Sequence, residues 1–527
     1  MPLSIRRNNP GFDIMEAELK KRKSNAFVEI LDTTLRDGEQ TPGVAFTPEE
    51  KLQIAKALIL RAKVDRLEIG SARVSEGERI GVSNILSWAE KHGVLDRMEI
   101  LGFVDGGKSA KWIHDAGGKV INLLAKGSEK HCRIQLRSTP ENHYAKTAKE
   151  VEFAHSLGLT VNVYLEDWSN GTKDDFGYVY NFIKVLEKLP VARIMLPDTL
   201  GVLAPDATAR YLEWIFAAFP DLKVDFHGHN DYGMVTANSL AAVKAGVSGI
   251  HTTVNGLGER TGNQPLPELT AAIHDMTDRK IRVAEKQLFY VSSMVQTLSG
   301  KRSSWNTPVI GSDVFTQTCG VHADGDKKGD LYANKLLPER FSRNRVYALG
   351  KLSGKASLEK NLEEVGIELD DEQRKRVLAE IVRLGDKKKQ VTAADLPFVI
   401  GNILNQPISG KVEIIDYQIE TRCGVTPHAT VVVKYENELI HGSANGDGGY
   451  DAFVKALRKA LKGIGRTFPK LSDYEVRIPP GGKTDALVET RITWEGSDRP
   501  LITIGVDSDQ LVAAVQATEK MLNLVLV

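Results

Sequence analysis

Cysteine is scarce. Cys132, Cys319 and Cys423 lie far apart and form no C-x-x-C pair, which excludes a disulfide framework and a zinc knuckle. No stretch of eighteen consecutive apolar residues occurs, so no membrane-spanning helix is predicted. Neither sign of charge is in excess: 69 basic and 69 acidic side chains give zero net charge, and neither nucleic acid nor an anionic membrane is expected as a partner. Residues 1–25 mix Arg6, Arg7, Asp13, Glu16, Glu18 and a basic run from Lys20 to Lys23 without an apolar core. They are therefore not a secretory leader, and a reducing, cytoplasmic setting is expected.

At 527 residues the chain is too long for one core, and several domains are expected. After residue 25 one unit repeats: a short β-branched or apolar run, a polar cluster, then an amphipathic helix. The runs are Phe27–Leu31, Val64–Ile69, Met98–Phe103, Lys119–Leu124, Thr160–Leu165, Ala192–Leu196, Lys223–Phe226 and Gly249–Val254. Helical periodicity lies between them at Pro48–Arg61, Val82–His92, Ala145–Leu157, Asp175–Lys188, Ala207–Phe219 and Thr236–Ala245. Eight such units over about 250 residues predict an α/β fold, a (β/α)8 TIM barrel. An open doubly wound sheet fits less well, because no G-x-G-x-x-G follows the first strand.

Barrel chemistry gathers where strands end. Strand one ends in Asp32-Thr-Thr-Leu-Arg-Asp-Gly-Glu-Gln40, strand two carries Glu68, and strand four ends near Lys126. Strand five gives Tyr164 and Glu166, strand six Asp198 and Thr199, and strand eight runs into Asn255-Gly-Leu-Gly-Glu-Arg-Thr-Gly-Asn263. Strand seven ends in His227-Gly-His229, and residues two apart on a strand share a face. Asp37 with these two imidazoles forms a donor set suited to Zn2+, Mn2+ or Co2+. Arg36 is placed either to hold a substrate carboxylate or developing oxyanion, or to form a salt bridge closing the barrel floor. Glu68 reads equally as a functional group or as a buried structural carboxylate.

The run Leu31–Gln40, the His227-Gly-His229-Asn-Asp segment and Asn255–Asn263 together resemble the DRE-TIM metallolyase superfamily. Within it they resemble the Claisen-condensing branch of 2-isopropylmalate, homocitrate and citramalate synthases. The resemblance implies a divalent metal (Zn, Mn, Co or Mg) on Asp37, His227 and His229 with Asn263 beside it. It implies acetyl-CoA as cosubstrate and Arg36 as the oxyanion-stabilising group. A Glu–His base is expected from Glu166 and from His322 in Gly320-Val-His-Ala-Asp-Gly325, reaching a neighbouring subunit's site in a homodimer, with Tyr332 as a second linker residue.

By the same resemblance Thr199 binds substrate, and Leu101, Leu124 and Tyr164 face the 2-oxo acid's side chain. Two leucines and a tyrosine leave room for a methyl group. Gly70-Ser-Ala-Arg73 also departs from the Gly-Phe-Pro of leucine-branch enzymes. Both features point to pyruvate and a citramalate-forming activity. The alternatives are 2-oxoisovalerate in leucine biosynthesis and, less favoured, a metal-dependent carbon–carbon lyase.

The expected boundaries are an N-terminal arm over 1–25, the catalytic barrel over 26–283, helical linker subdomains over 284–405, and an α+β regulatory or dimerisation domain over 410–527. In the last, a strand–strand–helix pattern repeats: Lys411–Glu420, Ala429–Tyr435 and helix Asp451–Leu461, then Tyr474–Arg477, Ala486–Trp494, Leu501–Val506 and helix Asp509–Val525. Paired helix N-termini favour a carboxylate, hence an amino-acid effector. Resemblance to isoleucine-regulated enzymes implies Tyr450, Asp451, Leu471, Tyr474, Ile478 and Val488 as its site, with a plain dimerisation domain as the alternative.

Overall fold

The computed structural model describes residues 27–318, 325, 329, 331–365, 367–386, 391, 395–404, 412–436, 438–477, 488–496 and 501–526. Eight parallel strands close into a barrel: β1 Glu29–Asp32, β2 Arg66–Ser71, β3 Met98–Phe103, β4 Val120–Lys126, β5 Thr160–Glu166, β6 Val191–Asp198, β7 Val224–Gly228 and β8 Gly249–Thr252. Each strand pairs with the next, and β8 returns to β1 with Leu31 opposite His251. Every strand expected from the sequence is present.

Helix cores fall where apolar periodicity puts them, but two helices begin a full turn or more earlier. Glu76–Lys91 starts six residues before Val82 because the Ser75 hydroxyl accepts the Glu78 amide, and Pro140–Ser156 starts at its Thr139 cap. Capping residues carry no apolar stripe, so periodicity passes over the first turn. Pro48–Lys56 opens on a reciprocal Thr47–Glu50 capping box, then widens into a π-helical stretch Ala57–Ala62 that ends on Lys63 with φ 60°.

The helices pack an apolar shell around the barrel, with Trp168, Phe182, Phe216 and Phe226 fully buried, each contributing about 1.5–3 kcal/mol. Inside, the floor is ionic. Arg66 reaches Glu99 at 2.8 Å, Glu29 at 3.1 Å and Asp225, and Arg193 reaches Asp225 at 3.1 Å. Burial alone would raise the Asp225 carboxyl, but Arg66 and Arg193 hold it well below the usual range.

The barrel belongs to a compact unit comprising Met1–Phe315 and Asn334–Asn344; the expected boundary at residue 283 falls inside it. The reason is the helix Leu288–Ser299, whose buried face of Leu288, Val291 and Val295 joins the barrel's apolar cluster. The second unit takes Thr316–Ala333 and Arg345–Val527. Its helices Lys355–Val365, Asp371–Asp386 and Leu396–Leu404 share a small core around Leu358, Val377, Ile381 and Leu396.

Two three-stranded antiparallel sheets follow in the same unit. Val412–Arg422, Val425–Tyr435 and Glu438–Asn445 precede helix Gly449–Gly463, and Leu471–Arg477, Val488–Trp494 and Leu501–Asp507 precede helix Gln510–Val525. The first copy thus has a third strand, Glu438–Asn445, where the sequence predicts none. Its Gly442 interrupts the apolar alternation for a packing reason. A Cβ there would collide with the Ala456 carbonyl of the covering helix, as one at Gly505 would with Ala513 in the second copy. Among the described residues no helix is long and apolar enough to cross a membrane.

Replacing Arg66 by alanine strips the buried floor carboxylates of a counter-charge. The expected cost is about 3–5 kcal/mol, read as a lower urea midpoint for barrel unfolding. A loss under about 1 kcal/mol would show that these pairs contribute little beyond the surrounding packing.

Candidate active site

The turn after β1 brings its functional side chains to the mouth. The Thr33 carbonyl accepts the amides of Arg36, Asp37 and Gly38, and Asp32 accepts the Thr34 amide at 3.0 Å. Burial pushes the Asp32 carboxyl up to about 6. A buried lysine anchors the same turn: Lys51 Nζ donates to the Leu35 carbonyl at 3.2 Å and pairs with Glu39 at 2.7 Å and with Glu78.

Arg36 lies across the mouth. Its Nε donates to Glu68 at 2.5 Å, Nη2 donates to the Tyr164 hydroxyl at 3.3 Å, and Nη1 stands 3.4 Å from Asp37. The salt-bridge reading of Arg36 therefore holds in part, at the mouth and not the floor. Arg66 does the floor's work. Glu68 is buried, and its second oxygen accepts Asn122 Nδ2 at 2.8 Å while the first grips Arg36.

Asp37 also faces β7. Its Oδ2 is 3.2 Å from His227 Nε2, which is 3.3 Å from His229 Nε2. Gly228 between the histidines sends no side chain to the far face, where a Cβ would press on Val235 and Phe226. Asp37, His227 and His229 are all buried, with one potential ligand atom each inside a 4.8 Å sphere of mutual distances.

Burial raises the Asp37 carboxyl, yet Arg36 and His227 outweigh it and hold it well below the usual range. Burial and the neighbouring His227 hold His229 down at about 4, so it is neutral at physiological pH and keeps a lone pair free. Three buried atoms here find no protein partner among the described residues: Nδ1 of His227, Nδ1 of His229 and Oδ1 of Asn263. Asn263 lies beside His229 through a backbone bridge and donates its Nδ2 to the Leu257 carbonyl at 3.0 Å. The Asp37 carboxylate and the facing Nε2 atoms of two imidazoles, with Asn263 beside them, fit a divalent cation of the Zn, Mn or Co type.

Leu101 and Tyr164 pack with Leu31 and Met195 in a buried cluster inside the barrel, and Leu124 packs against it. Glu166 is only half-buried and ion-paired with Lys126 on the adjacent strand. The Thr199 hydroxyl accepts the Asp167 amide at 2.9 Å, so it fixes the exit of β5. Tyr332 is half-exposed in the second unit, and His322 lies outside the described residues.

In the C-terminal sheets the Tyr450 and Tyr474 rings meet at 5.0 Å, and the Tyr450 hydroxyl bonds Thr518 at 2.7 Å. Asp451 is committed to Lys455 at 2.7 Å. Leu471 pairs with Trp494 and Val488 with Asp507, which places them at opposite ends of one strand pair. Ile478 lies outside the described residues. Of the two helix N-termini expected to face a carboxylate, the second is closed by its own Asp509, which accepts the Leu511 and Val512 amides. Only the N-terminus at Gly448 lacks a side-chain cap.

Residues 27–295 match the HMGL-like family, residues 309–389 the homocitrate synthase post-HMGL domain-like family, and residues 390–526 the LeuA allosteric (dimerisation) domain. The chain belongs to the HMGL-like family. Among HMGL-like relatives, the (R)-citramalate synthase CimA of Methanocaldococcus jannaschii is 33% identical, over 95% of this chain and 99% of its own. The 2-isopropylmalate synthase of the same organism is also 33% identical, over 95% of each chain. A solved hydroxymethylglutaryl-CoA lyase from Pseudomonas aeruginosa is 20% identical with a TM-score of 0.47, covering 53% of this chain and 94% of its own.

Alanine at Asp37 or at His229 is expected to weaken Mn2+ or Co2+ binding by at least about 100-fold, measured by equilibrium dialysis of the purified chain. Parental affinity in either variant would place the ion elsewhere.

Proposed function

We propose that the chain is a metal-dependent (R)-citramalate synthase, condensing acetyl-CoA with pyruvate and releasing CoA. In this reading it serves isoleucine biosynthesis as a cytoplasmic homodimer. The observation that carries the choice of pyruvate is the apolar lining beside Arg36. Leu101, Tyr164, Leu31 and Met195 form a buried apolar cluster with Leu124 packed against it, and side chains of that bulk beside the keto acid favour a methyl group over an isopropyl group. Relatives of both names match at comparable identity, several of them named (R)-citramalate synthase, and this lining adds to that support.

Asp37, His227 and His229, with Asn263 beside them, would hold the divalent ion. Bound there, such an ion supplies Lewis acidity to a keto oxygen. Arg36 brings five N–H donors, more than Glu68, Tyr164 and Asp37 take up, so donors remain for oxygen charge that grows as the carbon–carbon bond forms. Glu68 and Tyr164 fix its plane beforehand, which removes a reorganisation cost from the reaction. Glu166, with His322 supplied by a neighbouring subunit, takes a proton from the acetyl methyl. The resulting carbanion attacks the keto carbon, and water then cleaves the thioester to release CoA. Tyr332 is assigned to the same linker contribution as His322.

Isoleucine is the proposed effector of the C-terminal domain. The uncapped helix N-terminus at Gly448 offers amides to a carboxylate, and the packed Tyr450 and Tyr474 rings offer an apolar wall.

CoA release with each acid measures the substrate choice. Pyruvate is expected to exceed 2-oxoisovalerate in kcat/KM by roughly 10- to 200-fold, with some use of 2-oxobutyrate; the reverse order would make this a 2-isopropylmalate synthase. In the same assay isoleucine is expected to inhibit. Inhibition by leucine alone, or by neither amino acid, would defeat the effector assignment.

A further inference from the structure

His251 sits on β8 inside the barrel and has no part in the chemistry described above. It is fully buried and lies between two other buried groups. Its Nδ1 is 3.1 Å from the Tyr164 hydroxyl, and its Nε2 lies 3.5 Å from Asp225 Oδ2, an ion-pair separation that completes no hydrogen bond. Asp225 is held ionised by Arg66 and Arg193. A lone pair on Nε2 would point at that carboxylate, so the ring proton belongs on Nε2 and Nδ1 is left as an acceptor. The Tyr164 hydroxyl has one proton to give, and Nδ1 takes it. The phenolic oxygen then receives Arg36 Nη2–H at 3.3 Å.

We propose that His251 is a positioning residue for the 2-oxo-acid site: by accepting the Tyr164 proton it sets the phenolic oxygen as a fixed acceptor for Arg36. Tyr164 then turns only its aryl face toward the substrate's side chain. The inference rests on the functional reading of Arg36 and Tyr164 given above. The relay runs from Asp225 through His251 and Tyr164 to Arg36, linking the ionic floor to the reacting end of the barrel. Without an acceptor at position 251 the hydroxyl rotates freely, and Arg36 loses one of its three anchors.

A double-mutant cycle on the full chain tests this, with His251→Leu, Tyr164→Phe and the pair assayed on the acid that the parent prefers. Each single change is expected to lower kcat about 10-fold while KM for the 2-oxo acid moves less than about 3-fold, because Arg36 acts on charge that appears only in the transition state. The double variant should lose no more than about 2-fold beyond either single one. His251→Asn, whose amide oxygen replaces Nδ1, should recover most of the activity. Additive losses, or no recovery with asparagine, would overturn the proposal by reducing His251 to packing. A neutron crystal structure of the parent serves as an independent arm should His251→Leu fail to fold. Deuterium on Nε2 and on the Tyr164 hydroxyl supports the relay, and deuterium on Nδ1 refutes it. A parent that prefers 2-oxoisovalerate, or that turns over neither acid, refutes the functional reading instead, and the neutron result still decides the relay.

Discussion

Asp37 is a carboxylate kept ionised in a place almost free of water, and the arrangement of the barrel mouth follows from that constraint. Removing a carboxylate from water is costly unless opposite charge and hydrogen bonds replace it. Arg36 supplies the charge and His227 the nearest donor. Glu68 shares the same guanidinium, so two carboxylates face one fixed cation. The mouth is therefore one positive charge short. A divalent cation overshoots that deficit by one, and a 2-oxo acid, carrying one negative charge, restores balance. Electrostatics thus asks for both ion and anionic substrate in the same small volume.

The floor uses similar residue types to the opposite end. Arg66 and Arg193 distribute their donors over Glu29, Glu99 and Asp225, an interlocked ion-paired cluster in which Arg66 Nε and one Glu99 oxygen complete no hydrogen bond. At the mouth, both histidine Nδ1 atoms and the Asn263 oxygen are left over. An unsatisfied buried polar atom costs on the order of 1–3 kcal/mol, and the Nε2 atoms on the other side of the same two rings are the ones turned toward Asp37. The ion-paired floor cluster and the histidine–aspartate set of the mouth lie at opposite ends of the same strands. His251 stands between them, tied to Asp225 below and Tyr164 above.

Most of the barrel was legible because a strand's faces alternate and a helix's repeat near 3.6, and both periods survive in Thr160–Glu166 and Phe176–Leu186. The pair at His227 and His229 was legible for the same reason. Partnerships across the barrel were not. Arg36 and Glu68 are 32 residues apart, and nothing local says that one grips the other. Lys51 shows the limit most plainly: on a surface helix it reads as a solvated charge, but three oxygens from the β1 turn and the next helix draw it inside. His251 could have been suspected, since it alternates with the buried Ile250 and must point inward, but its partners come from other strands. The third strand of the first C-terminal sheet was hidden by Gly442, whose missing side chain is what allows the helix to lie against it.

The C-terminal duplication repeats that glycine packing but not its helix ends. Asp509 closes one N-terminus on itself, whereas Gly448 leaves the other without a side-chain cap. The copies are also cross-tied: Glu519 and Asn523 on the second helix accept the Ile414 and Val412 amides of the first sheet, and Tyr450 on the first helix bonds Thr518 on the second. Packing and these bonds make one body from two repeats. Asymmetry of this kind is what a duplicated module needs to bind an effector, since two self-capped helices would offer a carboxylate no unsatisfied amides.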